Sequence, residues 1–131
     1  MKSVLYFTDI LALVIEFQKF KDYRLVNIYD VEDHLYLIKL KNNDRKLIYL
    51  YVKPGCYIYK TEYPTDKRRK IPSSFCTRLR KYLNNKRITN VSTYQQDRII
   101  RFYFGENEYQ KCLVIELFGE GNIFLVNSDN K

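Results

Sequence analysis

The hydrophobic period of this chain switches twice from the spacing of a helix to that of a strand. The first apolar series has helical spacing and consists of Ile10, Leu13, Val14, Phe17 and Phe20. Thr8 or Asp9 stands where an N-cap belongs, so the pattern predicts a helix over 9–20. A second helix is predicted over 73–84 by a cap at Ser73 or Ser74 and a stop at Asn84-Asn85. The buried stripe expected for this second helix is Phe75, Leu79 and either Tyr82 or Leu83.

After each helix, runs of β-branched and aromatic residues with period two predict strands. These runs lie near 24–30, 34–40, 46–52, 56–61, 87–94, 97–104, 110–117 and 122–126. Turn-compatible pieces such as Pro54-Gly55 and Gly119-Glu120-Gly121 separate them. The order is one helix, four strands, one helix and four strands. An α+β fold accommodates this order with short connections. The prediction is two four-stranded antiparallel sheets packed as a sandwich with two flanking helices.

Composition limits the class of protein. A chain of 131 residues makes one domain, and 46% hydrophobic residues exclude disorder. The apolar runs are short and interrupted by charges, so neither a membrane span nor a signal peptide is expected. Cys56, Cys76 and Cys112 are odd in number and widely spaced, which favours reduced thiols in the cytoplasm.

The positive charge is concentrated in one stretch, residues 67–87, called here the basic segment. It contains no acidic residue, and its basic residues are Lys67, Arg68, Arg69, Lys70, Arg78, Arg80, Lys81, Lys86 and Arg87. These are nine of the 23 basic residues, and the other 14 are balanced by 15 acidic ones. Such clustering predicts a surface that binds a polyanion such as RNA, the alternative being a solvated charged face.

The sequence offers no catalytic or metal-binding pattern. The single His34 excludes a two-histidine metal site, no cysteine pair has zinc-ligand spacing, and no phosphate loop or dinucleotide fingerprint occurs. No cofactor is therefore expected. The 13 tyrosines could stack on bases, but Tyr49 with Tyr51 and Tyr57 with Tyr59 alternate within strands, which favours packing.

An ordered set of short pieces runs through nearly the whole chain. It includes Thr8-Asp9, Asn27-Ile28-Tyr29-Asp30-Val31, Tyr36-Leu37-Ile38-Lys39-Leu40, Pro72-Ser73-Ser74-Phe75, Asp97-Arg98-Ile99 and Ile115-Glu116-Leu117-Phe118-Gly119-Glu120-Gly121-Asn122-Ile123. In order and spacing these pieces resemble the NFACT amino-terminal domain. That domain opens the eukaryotic factors of ribosome-associated quality control and the bacterial fibronectin-binding-protein-A-like factors. The resemblance also implies a fold similar to the amino-terminal domain of formamidopyrimidine-DNA glycosylases.

The resemblance implies a function on the ribosome. Members of the family bind the large ribosomal subunit with its obstructed chain and transfer RNA, and support tailing of that chain without a message. Eukaryotic members also stabilise the Listerin-type ubiquitin ligase there. The residues implied in transfer-RNA binding are Asp9, Asp97 and Arg98. From charge chemistry alone, Asp9 could instead complement a helix dipole, and Arg98 could neutralise a neighbouring carboxylate.

Two other functions remain open. Family members carry further domains, so residues 1–131 are expected to be the first domain of a longer protein, or a reduced form that binds or silences ribosomes by itself. The glycosylase likeness supplies an enzymatic alternative. Those enzymes need an amino-terminal proline as nucleophile, whereas Met1 is followed here by Lys2 and Ser3, and the first proline is Pro54. We therefore expect no enzymatic activity.

Overall fold

The structure, a computed structural model, describes residues 7–32, 34–64, 72–93, 98–118 and 120–127, without the side chains of residues 7–9 and 32. Helix α1 spans Phe7–Phe17 and continues as a 3₁₀ turn over Gln18–Phe20. Strands β1 to β4 span Arg24–Glu32, Leu35–Lys41, Leu47–Lys53 and Tyr57–Thr61. Helix α2 spans Ser74–Leu83. Strands β5 to β8 span Ile88–Thr93, Ile99–Phe104, Lys111–Glu116 and Asn122–Asn127.

Each group of four strands forms an antiparallel meander, in which every strand pairs with the next one along the chain. This confirms the predicted order of helices and strands and the two four-stranded sheets. The expected N-cap at Thr8 or Asp9 is wrong, because both residues lie inside α1. At α2 the expected cap is confirmed, since the Ser73 side chain accepts a hydrogen bond from the Cys76 backbone N–H at 3.1 Å.

One apolar core lies between the two sheets and receives both helices. Ile10, Val14, Phe17 and Phe20 are buried on the α1 side, and the Phe17 ring lies 6.0 Å from that of Phe102 on β6. Helix α2 buries Cys76, Leu79 and Leu83. Tyr82 is instead 39% exposed, so the alternative stripe ending at Leu83 is the one observed.

The tyrosines of β3 and β4 lie on the outer face of the first sheet. Tyr49 and Tyr51 pack there with Leu35 and Leu37 in a second apolar cluster. Tyr51 and Tyr59 are directly opposite each other on paired strands, and their ring centroids are 5.2 Å apart. The expectation of cross-strand packing is thereby confirmed for this pair.

Backbone contacts join the two sheets at both ends. At one end the Leu25 N–H donates to the Lys86 carbonyl at 3.0 Å, and Arg24 and Arg87 form an isolated antiparallel bridge. At the other end the Gly55 N–H donates to the Glu116 carbonyl at 2.9 Å. Gly121 packs against this second contact, since a Cβ at this position would lie 1.9 Å from the Gly55 nitrogen. Its φ of +76° also favours glycine. We refer to these contacts as the Lys86 joint and the Gly55 joint.

Candidate nucleic-acid interface

The basic segment reaches the surface through α2 and the connection that follows it. Lys67, Arg68, Arg69 and Lys70 lie outside the described residues. Arg78 and Lys81 are exposed on α2, because the intervening face that carries Leu79 and Leu83 is buried in the core. Lys86 and Arg87 follow the helix at the Lys86 joint. The structure thus places two of these cations on the exposed face of α2 and two in the connection that follows it.

Arg80 differs from its neighbours on α2. It is only partly exposed, its Nε donates a hydrogen bond to the Ile28 carbonyl at 2.8 Å, and its guanidinium lies 5.6 Å from the centroid of the Tyr29 ring. Both partners belong to β1. The side chain therefore fastens α2 to the first sheet, and its role in ligand binding stays a prediction.

Helix α2 is also held at its first turn by a buried carboxylate. Asp30 of β1 is 5% exposed and lies at the amino-terminal end of the helix, where negative charge is stabilised. Burial and the neighbouring Asp30 carboxylate raise the pKa of the Cys76 thiol from 9.0 to about 12. Cys76 is therefore an un-ionised core side chain at neutral pH.

A cavity of about 380 Å³ opens between α2 and the edge strand β8. It is lined by Phe75, Arg78, Leu79, Tyr82, Lys111, Phe124, Leu125 and Asn127. None of these described residues is acidic. The ammonium groups of Lys81 and Lys111 each lie 5.5 Å from the centroid of the Tyr82 ring. The second sheet thus adds Lys111 to the surface that Arg78 and Lys81 form.

The Asp97-Arg98 pair immediately precedes β6 in the sequence. Arg98 is partly buried, its carbonyl accepts a hydrogen bond from the Leu117 N–H at 2.8 Å, and its guanidinium lies 5.9 Å from the Phe118 ring centroid. Asp97 lies outside the described residues, as does the side chain of Asp9. The backbone of Asp9 belongs to the first turn of α1.

Helix α1 runs back along β5, so its first turn points toward the end of the sheet where Arg98 lies. Two contacts fix this direction: the Gln18 side-chain amide donates to the Val91 carbonyl, and the Asp22 N–H donates to the Ile88 carbonyl. The carboxyl end of the helical stretch therefore lies over the start of β5. Its amino end, with Asp9, extends toward Thr93 and the start of β6.

The two charged features lie at opposite ends of the second sheet. Ile99, next to Arg98, is paired with Glu116, whereas Phe104 is paired with Lys111 at the other end of β6. Gly105 follows there and donates to the Arg87 carbonyl at 3.0 Å. Because β6 has six residues, the two ends are roughly 17 Å apart. We call them the Arg98 end and the Arg87 end.

The structure also places basic residues that the sequence pattern did not single out. Arg24 and Lys111 lie at the Arg87 end, although both are outside the basic segment. Only strand pairing brings them there. Within the described residues, no group of three potential metal ligands occurs and no helix is long and apolar enough to cross a membrane.

Comparison with known proteins bears directly on this arrangement. Residues 7–131 match the family of NFACT N-terminal and middle domains. The chain belongs to the NFACT family. The predicted resemblance is therefore confirmed, and the match includes both Arg98 and the basic segment.

The chain is similar in sequence to human and yeast proteins of ribosome quality control. The chain is 38% identical over 104 residues to human "Ribosome quality control complex subunit NEMF", and the match covers 79% of this chain and 10% of the relative. It is 35% identical over 139 residues to "Ribosome quality control complex subunit 2" of Saccharomyces cerevisiae, covering 100% of this chain and 12% of the relative. The chain thus spans about a tenth of the length of these relatives.

A solved structure supports the fold of this NFACT chain. The N-terminal domain of fibronectin-binding protein PavA from Streptococcus pneumoniae superposes with a TM-score of 0.84 and 25% identity. The match covers 94% of this chain and 49% of the PavA chain. The two sheets and two helices therefore form a fold shared with a bacterial fibronectin-binding protein.

Proposed function

We propose that this domain belongs to a cytoplasmic factor of ribosome-associated quality control and that it binds the large ribosomal subunit and transfer RNA. In this role it supports message-independent tailing of stalled nascent chains and recruitment of a Listerin-type ubiquitin ligase. The names of the human and yeast relatives, both subunits of the ribosome quality control complex, support this proposal. It is a binding function without catalysis.

The observation that carries the proposal is the clustering of basic side chains on α2 and in the connection that follows it. Arg78 and Lys81 are exposed on α2, Lys86 and Arg87 follow the helix, and Lys111 of the second sheet lies beside Tyr82 of α2. A protein that binds RNA gains most of its affinity from such phosphate contacts, whatever the base sequence. A surface evolved only for solubility would intersperse both signs of charge.

The Arg98 end has a different role in this proposal. Phosphate contacts position a protein on RNA, whereas contacts to bases and ribose distinguish one RNA from another. A carboxylate cannot attract phosphate, so Asp97 is assigned to orient Arg98 or to accept a hydrogen bond from a base or a ribose hydroxyl. The first turn of α1, which contains the backbone of Asp9, points toward the same end.

The test is co-sedimentation of the protein with large ribosomal subunits at a series of salt concentrations. Changing Arg78 and Lys81 to Glu reverses two exposed charges on α2, and we expect weaker binding with a smaller dependence on salt. The matched control reverses Lys53 and Lys60 of the first sheet, which changes the net charge equally. Equal losses in both variants would contradict a localised interface and indicate attraction by net charge alone.

Two results would point to the alternatives. Full ribosome binding together with normal ribosome recycling but no tailing in cells would favour a stand-alone factor that occupies or silences the particle. A covalent adduct with abasic DNA, trapped by borohydride, would instead favour a glycosylase-like enzyme. We expect no such adduct.

A further inference from the structure

Three cations stand side by side where the two sheets meet at the Lys86 joint. In the register of β1 and β2, Arg24 lies directly opposite Lys41. On its other side Arg24 lies opposite Arg87, through the isolated antiparallel bridge. The order across three neighbouring segments is therefore Lys41, Arg24, Arg87, which we call the cation row.

The cation row is unfavourable in the protein alone. Residues directly opposite on antiparallel strands project to the same face with Cβ atoms roughly 4.5 to 5.5 Å apart, and like charges at such positions destabilise the pairing. All three side chains are exposed, so solvent reduces the repulsion without removing it. An anion between the side chains would convert this repulsion into attraction.

The acidic side chains nearby do not neutralise the cation row. Asp22 approaches Arg87 with its Oδ1 3.9 Å from Nη1, and its side chain is 71% exposed. Glu106 lines the cavity next to Arg87. Among the described residues, neither Arg24 nor Lys41 has an ion-pair partner. The three cations of the row therefore outnumber the two nearby acidic side chains, and Arg24 keeps an unneutralised positive charge.

There is space for a ligand on both sides of Arg24. A cavity of about 360 Å³ is lined by Arg24, Lys86, Arg87 and the polar side chains of Asn85 and Thr89, among others. A second cavity of about 530 Å³ is lined by Arg24, Lys41 and Asn42, among others. Arg24 therefore lines both cavities.

We propose that Arg24 and Arg87 hold one phosphodiester group of RNA between them, with Lys41 beside the next stretch of backbone. The planar guanidinium group donates paired hydrogen bonds to phosphate oxygens, which suits two arginines that face each other. This inference rests on the proposed function, because it names the RNA subsite at the Arg87 end. Arg24 is the deciding residue, since it alone lies opposite both of the other cations in register.

Inorganic phosphate provides the first test, in thermal unfolding of the 131-residue chain. In chloride buffer, Arg24→Gln should melt at a higher temperature than the wild type, because the repulsion is removed. Phosphate at matched ionic strength should raise the melting temperature of the wild type and leave that of Arg24→Gln unchanged. Lys60→Gln, which removes an exposed cation elsewhere, should keep the phosphate response. A response equal in Arg24→Gln and wild type would overturn the site.

The second test uses RNA and separates the phosphodiester from a free anion. Affinity for a ribosomal RNA fragment is measured against salt concentration for the wild type and for Arg24→Gln combined with Arg87→Gln. A single phosphate held by both residues predicts that the slope falls by about one. A fall of about two would mean two separate phosphates, and no fall would mean a free anion only; both results overturn the proposal. Ribosome binding that is unchanged on reversal of Arg78 and Lys81 while the phosphate response persists would contradict the proposed function but not this site.

Discussion

Asp30 and Ser73 meet through two hydrogen bonds across 43 positions of sequence. The Ser73 backbone N–H donates to Asp30 Oδ2 at 2.7 Å, and the Ser73 hydroxyl donates to Oδ1 at 3.0 Å. The same hydroxyl accepts from the Cys76 N–H. Ser73 thus caps α2 and also connects the helix to β1. This contact positions α2, and with it the basic residues that α2 carries.

The first prediction concerns this contact. Asp30→Ala leaves two donors without their acceptor and should lower the free energy of unfolding by about 2 to 4 kcal/mol. Ser73→Ala should cost about 1 kcal/mol through the lost cap, in addition to its share of the contact. Urea denaturation of both single variants and the double variant measures the coupling. Costs that simply add would contradict a cooperative cap.

Arg80 and Arg78 form a matched pair on α2. Arg80→Ala should destabilise the fold by about 1 to 2 kcal/mol, because a charged hydrogen bond to the Ile28 carbonyl is lost. Arg78→Ala should leave stability within about 0.5 kcal/mol, since its side chain is exposed. Ribosome binding should respond in the opposite order. Denaturation and co-sedimentation of the two variants check both statements, and equal stabilities would remove the structural role of Arg80.

A methyl group at Gly121 should disrupt the Gly55 joint. Gly121→Ala would place Cβ 1.9 Å from the Gly55 nitrogen, a backbone atom that cannot move aside cheaply. Gly105→Ala is the control, because its φ of +77° is nearly the same while its nearest neighbour is 3.2 Å away. The control should lose about 1 to 2 kcal/mol, mainly from backbone strain. Gly121→Ala should lose clearly more in the same denaturation assay, and similar losses would show that the joint yields.

Stability should decline with rising pH partly through Cys76. In the unfolded chain this thiol has its ordinary pKa of 9.0, whereas burial and Asp30 raise the pKa to about 12 in the fold. Above pH 9 the unfolded state therefore binds fewer protons than the folded state, and unfolding becomes easier up to about pH 12. Stability measured from about pH 8 to about pH 10.5 should fall more steeply for the wild type than for Cys76→Ala. Parallel curves would mean that Cys76 does not contribute to this dependence.

The Arg98 end should matter for transfer RNA and not for general attraction to the ribosome. Changing Asp97 and Arg98 to Ala should leave the salt dependence of ribosome binding nearly intact, because the proposed phosphate contacts involve α2 and the Arg87 end. Tailing of a stalled reporter in cells should be lost. A folded double variant that binds and tails normally would remove Asp97 and Arg98 from the functional residues.

Local patterns make most elements of this fold predictable, whereas its charged clusters depend on contacts between distant segments. The cap at Ser73 and the burial of Leu83 follow from spacing within one helix. The burial of Asp30 depends on the approach of α2 to β1, which no local pattern specifies. Asp9 matches the pattern of a cap although it lies inside α1, because acidic residues are also favoured in the first turn of a helix. Likewise, the cation row requires pairing between residues as far apart as Arg24 and Arg87.

The two joints between the sheets fix the distance between the Arg87 end and the Arg98 end of the domain. Lys86 and Leu25 close one end by a backbone hydrogen bond, and Gly55 and Glu116 close the other. The sheets therefore cannot slide past each other without breaking main-chain bonds, and the distance of roughly 17 Å between the two ends is set by the length of β6. A ligand that reaches both ends gains affinity, since binding at the first end raises its effective concentration at the second. A ligand too short for this distance gains no affinity from the second end, however well it fits the first.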